Sequence, residues 1–252
     1  MSNTTKINDI EQPFVSHLVE LREKILKMVL AVLVCFLCLA PFSSELYSLF
    51  ADPLLSVMPP SSVMIAIDVA SPFFAPFKLT LVIAIFIAIP YILFQCWSFI
   101  APGLYQHEKK LVTPILISST FLFYCGAAFA YFIVFPLVFG FFTSTAPDGV
   151  EVMTDISRYL DFIFTMFFAF GIAFEVPIAT VLLVWMNVAT VESLADKRPY
   201  VVVGAFVVGM LLTPPDVISQ TLLAIPMWVL FELGIFLARF KPLNESEENN
   251  GV

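Results

Sequence analysis

The chain has 252 residues, is 60% hydrophobic and only 13% charged, and has a mean hydropathy of +0.96. A soluble domain of that length cannot hide so much apolar surface, so composition predicts an integral membrane protein. The net charge of −8 resides in short polar segments, and the few, scattered basic residues exclude a nucleic-acid-binding surface.

The chain begins with a polar leader. In "QPFVSHLVELREKI" (12–25), Phe14, Leu18, Leu21 and Ile25 recur at helical spacing, away from Glu20, Arg22, Glu23 and Lys24. This predicts an amphipathic helix over 12–24 at a membrane interface, running into the first span. No small-x-small cleavage site follows, so no cleavable signal peptide is expected. Spacing alone leaves Glu20 two readings: an i,i+4 pair with Lys24, or a carboxylate facing a ligand.

Six apolar segments follow: Ile25–Phe42, Pro76–Ile100, Leu111–Phe135, Phe162–Val188, Tyr200–Leu212 and Val217–Phe240. The first loop, 43–75, holds Pro53, Pro59, Pro60 and Pro72 among many apolar residues, and is expected to form short helices and turns over the membrane. The loop 136–161 is acidic. The fifth segment, at about 1.5 Å per residue, is only about 20 Å long. "TPPD" ends it, so segments five and six are expected to form a tight hairpin, with Asp216 capping the sixth. Residues 1–240 read as one polytopic membrane domain, and the polar tail 241–252 as disordered.

Ten of the 12 Lys and Arg fall on one side of this six-segment weave, and only Lys78 and Arg158 on the other. The positive-inside rule then places both termini in the cytoplasm of a multi-pass protein of the cytoplasmic (inner) membrane.

Enzyme chemistry finds little support. The two histidines, His17 and His107, lie outside the spans, no phosphate-binding loop is present, and no cofactor or metal site is expected. Cys35 and Cys38 sit i,i+3 inside an apolar run and read as small apolar residues. Two carboxylates stand out. Glu108 lies in the short loop "APGLYQHEKKL" (101–111), beside two lysines and among Phe99, Pro102, Leu104 and Tyr105. Glu175 lies near the middle of the fourth segment, where a charged acid costs about 2.5–3.5 kcal/mol to insert. Such residues face a bundle interior, a cavity or a partner. Pro90, Pro177 and Pro226 inside spans, together with Glu175, also fit a proton-coupled small-molecule transporter, although no internal repeat supports it.

"WSFIAPGLYQHEKKL" (97–111) resembles the signature of the TatC family, the multispanning core of twin-arginine protein translocases. "HLVELREKIL" (17–26), "DPLL" (52–55, with Pro53), "FEVP" (174–177) and "LLTPPDVISQ" (211–220) resemble further family motifs in the same order. The resemblance implies an all-α fold of six transmembrane helices in a glove-like concave bundle. It implies a receptor for Arg-Arg signal peptides on folded cargo, working with the single-span proteins TatA and TatB, driven by the proton-motive force and self-associating in the lipid bilayer. It implies that Glu20, Arg22, Phe99, Tyr105 and Glu108 form the signal-peptide site, with Arg22 holding Glu20 or contacting the peptide. It implies that Glu175, Met210, Thr213 and Gln220 dock a partner helix.

Overall fold

A computed structural model describes residues 5–56, 63–100, 109–144, 153–212 and 217–240. The chain divides into two compact units, Met1–Thr120 with Ala146–Phe164, and Phe121–Thr145 with Thr165–Val252.

In the first unit, leader and first span are one continuous helix, α1 (Thr5–Leu39). Pro41 ends it in a short 3-10 turn, Ala40–Phe42, because proline cannot donate the next helical hydrogen bond. Helix α2 (Ser43–Ser56) follows and contains Pro53. Both α1 and α2 pack on α3 (Ser71–Ile100). Along α1, Leu26, Val29, Leu30, Leu33 and Leu37 are exposed within the chain, which suits a helix surrounded by hydrocarbon.

The outer loops depart from a purely helical expectation. Strand β1 (Val63–Ile65) pairs in parallel with β2 (Met153–Asp155), Met64 opposite Thr154. Two backbones that meet outside the bundle satisfy each other's N–H and C=O groups where no helix does so. The same seam carries a Ser157 to Ser71 hydroxyl bond of 2.9 Å and an ion pair between Lys78 and Asp161. A carboxylate on the fourth crossing thus holds Lys78.

The fourth crossing begins at α6, Ile156–Ala173, six residues earlier than its apolar run predicts. Asp155 explains the start. Its Oδ1 accepts from the Ser157 N–H (2.7 Å) and the Arg158 N–H (3.2 Å), the second and third positions of the helix, and its Oδ2 accepts from the Ile67 N–H (3.4 Å). Burial pushes the Asp155 carboxyl up, but the backbone bonds from Arg158, Ser157 and Ile67, helped by the Arg158 charge, outweigh it and hold it below its ordinary value. A depressed folded-state value contributes stability that is fully present above the ordinary carboxylate range and disappears as pH falls through the folded-state value. We therefore expect Asp155→Asn to lower the thermal unfolding midpoint of the detergent-solubilised protein at neutral pH, with the difference vanishing in strong acid. A gap that persists in acid would mean that shape, not charge, gives Asp155 its role.

The third crossing runs as α4 (Lys109–Phe129), which begins in the first unit and ends in the second, then a π-helical turn (Ala130–Val134) and α5 (Phe135–Ser144), past the Phe135 end expected from sequence. The wider turn makes room for Pro136, whose ring would otherwise crowd the Phe132 carbonyl. The fourth crossing breaks at Phe174–Glu175 and resumes as α7 (Val176–Trp185), because Pro177 has no N–H for the Ala173 carbonyl. Asn187, at a φ of 55°, closes α7, and the Val188 N–H bonds back to the Leu183 carbonyl at 3.0 Å. After α8 (Val191–Asp196), α9 (Arg198–Leu212) and α10 (Val217–Ala238) form the hairpin, and α10 also packs on α7. Val184, Leu194, Phe231, Ile235 and Ala238 form a core at one end. Among the described residues, five helical stretches are long and apolar enough to cross a membrane, and α9, 15 residues or about 22 Å, is the short one.

Candidate functional site

Of the signal-peptide candidates, the structure describes Glu20 and Arg22 on α1 and Phe99 on α3, two helices that pack together. Lys24, on α1, donates to the Ser98 hydroxyl near the end of α3, and a Cys96 Sγ to Met28 Sδ contact of 3.8 Å continues the same seam. Trp97 Nε1 donates to Ser119 Oγ at 2.7 Å, so the end of α3 is also tied to α4. Lys24 donates to Ser98, and no Glu20–Lys24 ion pair, one of the two readings that spacing left open, occurs among the described residues. The packing of α1 on α3 carries Lys24 across to the neighbouring helix.

Glu20 is half-buried one helical turn before Lys24, on the same face, so it lies about 6 Å further along α1, beyond Ser98. Phe99 is half-buried and adjoins Ser98 in the chain. Arg22 is exposed and forms no ion pair with Glu20. Residues two apart on a helix point in different directions, so Arg22 is not what holds Glu20. Tyr105 and Glu108 lie outside the described residues; in the chain, Glu108 directly precedes Lys109, the first residue of α4.

The partner-docking candidates belong to the second unit. Glu175 sits at the break in the fourth crossing, its Oε1 atom shielded from solvent. Around the break, Phe129 packs on Phe170 and Phe174, each at 5.5 Å between ring centroids. Met210 is exposed on α9 and Gln220 half-buried on α10, near the hairpin tip. There Gly209 faces the backbone of Gln220, where an added Cβ would lie 3.4 Å from the Gln220 carbonyl oxygen. Thr213 and Asp216 lie outside the described residues, and so does the cap expected of Asp216. The side chain of Pro53, the outer-loop candidate, is likewise not described.

One pair emerged only from the structure. Arg198 opens α9 and grips Glu232 of α10 with both arms of its guanidinium, Nε to Oε1 at 2.6 Å and Nη2 to Oε2 at 2.8 Å. Glu232, inside the sixth apolar segment, thus has its partner on the neighbouring helix. No group of metal-ligating side chains occurs among the described residues.

A sequence profile of the family described as "Sec-independent protein translocase protein (TatC)" matches residues 16–226. The Sec-independent protein translocase protein TatC of Haemophilus influenzae is 58% identical over 239 residues, 95% of this chain and 93% of that protein. The TatC of Escherichia coli K12 is 59% identical over 229 residues, 91% of this chain and 89% of the other. A crystal structure described as the twin-arginine translocase receptor TatC superposes with a TM-score of 0.78 at 38% identity, covering 88% of this chain and 98% of that one.

Proposed function

The chain belongs to the TatC family of Sec-independent protein translocase proteins, and from that premise we propose that it is the receptor of a twin-arginine translocase, binding Arg-Arg signal peptides of folded cargo at its cytoplasmic face. It is a multi-pass membrane component of a protein translocase and not an enzyme, as its relatives' shared name and its apolar helices indicate. That membership sets aside the small-molecule transporter. The finer reading adds TatA and TatB as partners, self-association in the bilayer, the proton-motive force as driver, an inner-membrane location and cytoplasmic termini.

The observation that carries the peptide reading is the release of Glu20. With Lys24 turned to Ser98, Glu20 is a half-buried carboxylate with no ion pair among the described residues, on the helix that packs against α3, from which the Glu108 segment continues. Arginine presents a planar fork matched to carboxylate oxygens, so two carboxylates make a receptor for two arginines. Lysine keeps the charge and loses the fork. The half-buried Phe99 lowers the local dielectric, which strengthens charge-assisted bonds. In the test, a folded reporter with an Arg-Arg signal is expected to co-purify with the protein and the same reporter with Lys-Lys is not. Equal capture of both would refute the reading.

A further inference from the structure

The break at Phe174–Glu175 is held from both sides by approaches that only glycine permits. On the α4 side, a Cβ built on Gly171 would lie 2.6 Å from Cε2 and 2.7 Å from Cζ of Phe123. Gly126 of the same helix meets the Phe170 carbonyl so closely that a Cβ there has no space at all. On the α10 side, a Cβ on Gly234 would lie 2.9 Å from the Pro177 Cα and 2.9 Å from the Thr180 Cβ. Gly171 is four residues before Glu175, and Pro177 is two after it.

The helix is α-helical up to Phe174, whose N–H bonds the Phe170 carbonyl at 2.9 Å, and tightens at Glu175, whose N–H bonds the Ile172 carbonyl at 3.0 Å while its backbone stays right-handed. Gly171 therefore lies about one turn before Glu175. Side chains on a helix tilt toward its N-terminus, so the Glu175 side chain leans over the place that Gly171 leaves open to the Phe123 ring. Beyond the break, α7 cannot swing away from α10 or toward it without changing the Gly234 contact, which is made to the Pro177 backbone and the Thr180 side chain.

We propose that Gly171 and Gly234 are positioning residues for Glu175. By admitting the Phe123 ring on one side of the break and the Pro177 backbone on the other, they set the direction in which the carboxylate meets an incoming single-span helix. The second half of that statement rests on the reading of Glu175 as a docking residue; the first does not.

The test uses the full chain in its native membrane with its partners, in a background with Cys35, Cys38, Cys96 and Cys125 replaced. A cysteine introduced by Glu175→Cys is alkylated with a membrane-permeant maleimide, and the rate reads the direction of that side chain without any partner contact. Gly171→Ala is expected to change the rate roughly tenfold, as a forced displacement in a packed contact does. Adding Phe123→Leu, which removes the two nearest of the three crowding ring atoms, returns it. With Glu175 intact, Gly171→Ala lowers photocrosslinking from position 172 to the single-span partner, while Arg-Arg peptide binding stays at the parental level. Gly234→Ala shows the same loss, and trimming Thr180 alone does not rescue it, because the added Cβ also meets the Pro177 Cα. If Gly171→Ala does not accumulate, Phe123→Leu alone, which loosens the contact without a clash, is expected to shift the alkylation rate. An unchanged rate in either variant overturns the proposal, and so does a rate that Phe123→Leu fails to return. A shifted rate with unchanged crosslinking upholds the positioning and overturns the docking role of Glu175.

Discussion

Alanine at position 108 is expected to weaken binding of an Arg-Arg signal peptide roughly 10- to 150-fold, the loss of one charge-assisted pair worth about 1.5–3 kcal/mol, while the chain still inserts. Glu108→Asp falls between, since it keeps the charge and shortens its reach. Glu20→Ala also weakens binding, because Lys24 is held by Ser98 and does not compete for Glu20. The double change costs less than the sum of the two if both carboxylates hold one arginine pair. Fluorescence anisotropy of a labelled peptide against detergent-solubilised protein measures all four. Parental affinity in Glu108→Ala removes Glu108 from the site, and a purely additive double variant separates the carboxylates into independent contacts.

The second large effect is expected at Glu175, on transport instead of recognition. Glutamine keeps the shape and hydrogen bonding of the side chain but cannot change charge; leucine removes both. A docking role predicts that Glu175→Gln exports cargo at close to the parental rate, whereas Glu175→Leu binds the signal and then stalls, with export falling to background. A polar contact inside a membrane is worth about 1–2 kcal/mol by model-peptide measures, enough to lower partner occupancy by roughly 5- to 30-fold. If glutamine is as inactive as leucine, the essential property is proton exchange. The same export assay reads the hairpin tip: replacing Thr213 and Gln220 with leucine together removes their hydrogen-bonding capacity and is expected to reduce partner crosslinking without touching peptide binding.

Much of this was legible in the chain. Six apolar segments, the short fifth one and the hairpin stop at Pro214 and Pro215 follow from hydropathy, helix rise and proline chemistry. These are local properties of consecutive residues, which a bilayer makes decisive because every spanning backbone must satisfy its own hydrogen bonds. The sequence also singled out Glu108 and Glu175, and its motifs pointed to the family that the comparisons then established.

Pairing between segments was not legible, because it depends on register across helices that no local pattern encodes. Glu20 and Lys24 have ideal spacing for each other, yet Lys24 reaches Ser98, 74 residues away, since α1 lies along α3. The Asp155 cap draws in the Ile67 N–H, and the parallel strand pair joins residues 63–65 to 153–155, across two membrane crossings.

The Arg198–Glu232 pair shows the division most clearly. The sequence by itself placed Arg198 just before the fifth apolar segment and Glu232 within the sixth, where a charge needs either water or a partner. The hairpin decided which. Gly209 faces Gln220; Arg198 lies 11 residues before the one (209 − 198), and Glu232 lies 12 after the other (232 − 220). Antiparallel helices with an equal rise per residue bring those two positions level, and the guanidinium fork meets the carboxylate with two bonds. Either residue alone in the sequence is a charge near a membrane surface; only the close approach at Gly209 turns the two into a pin between helices.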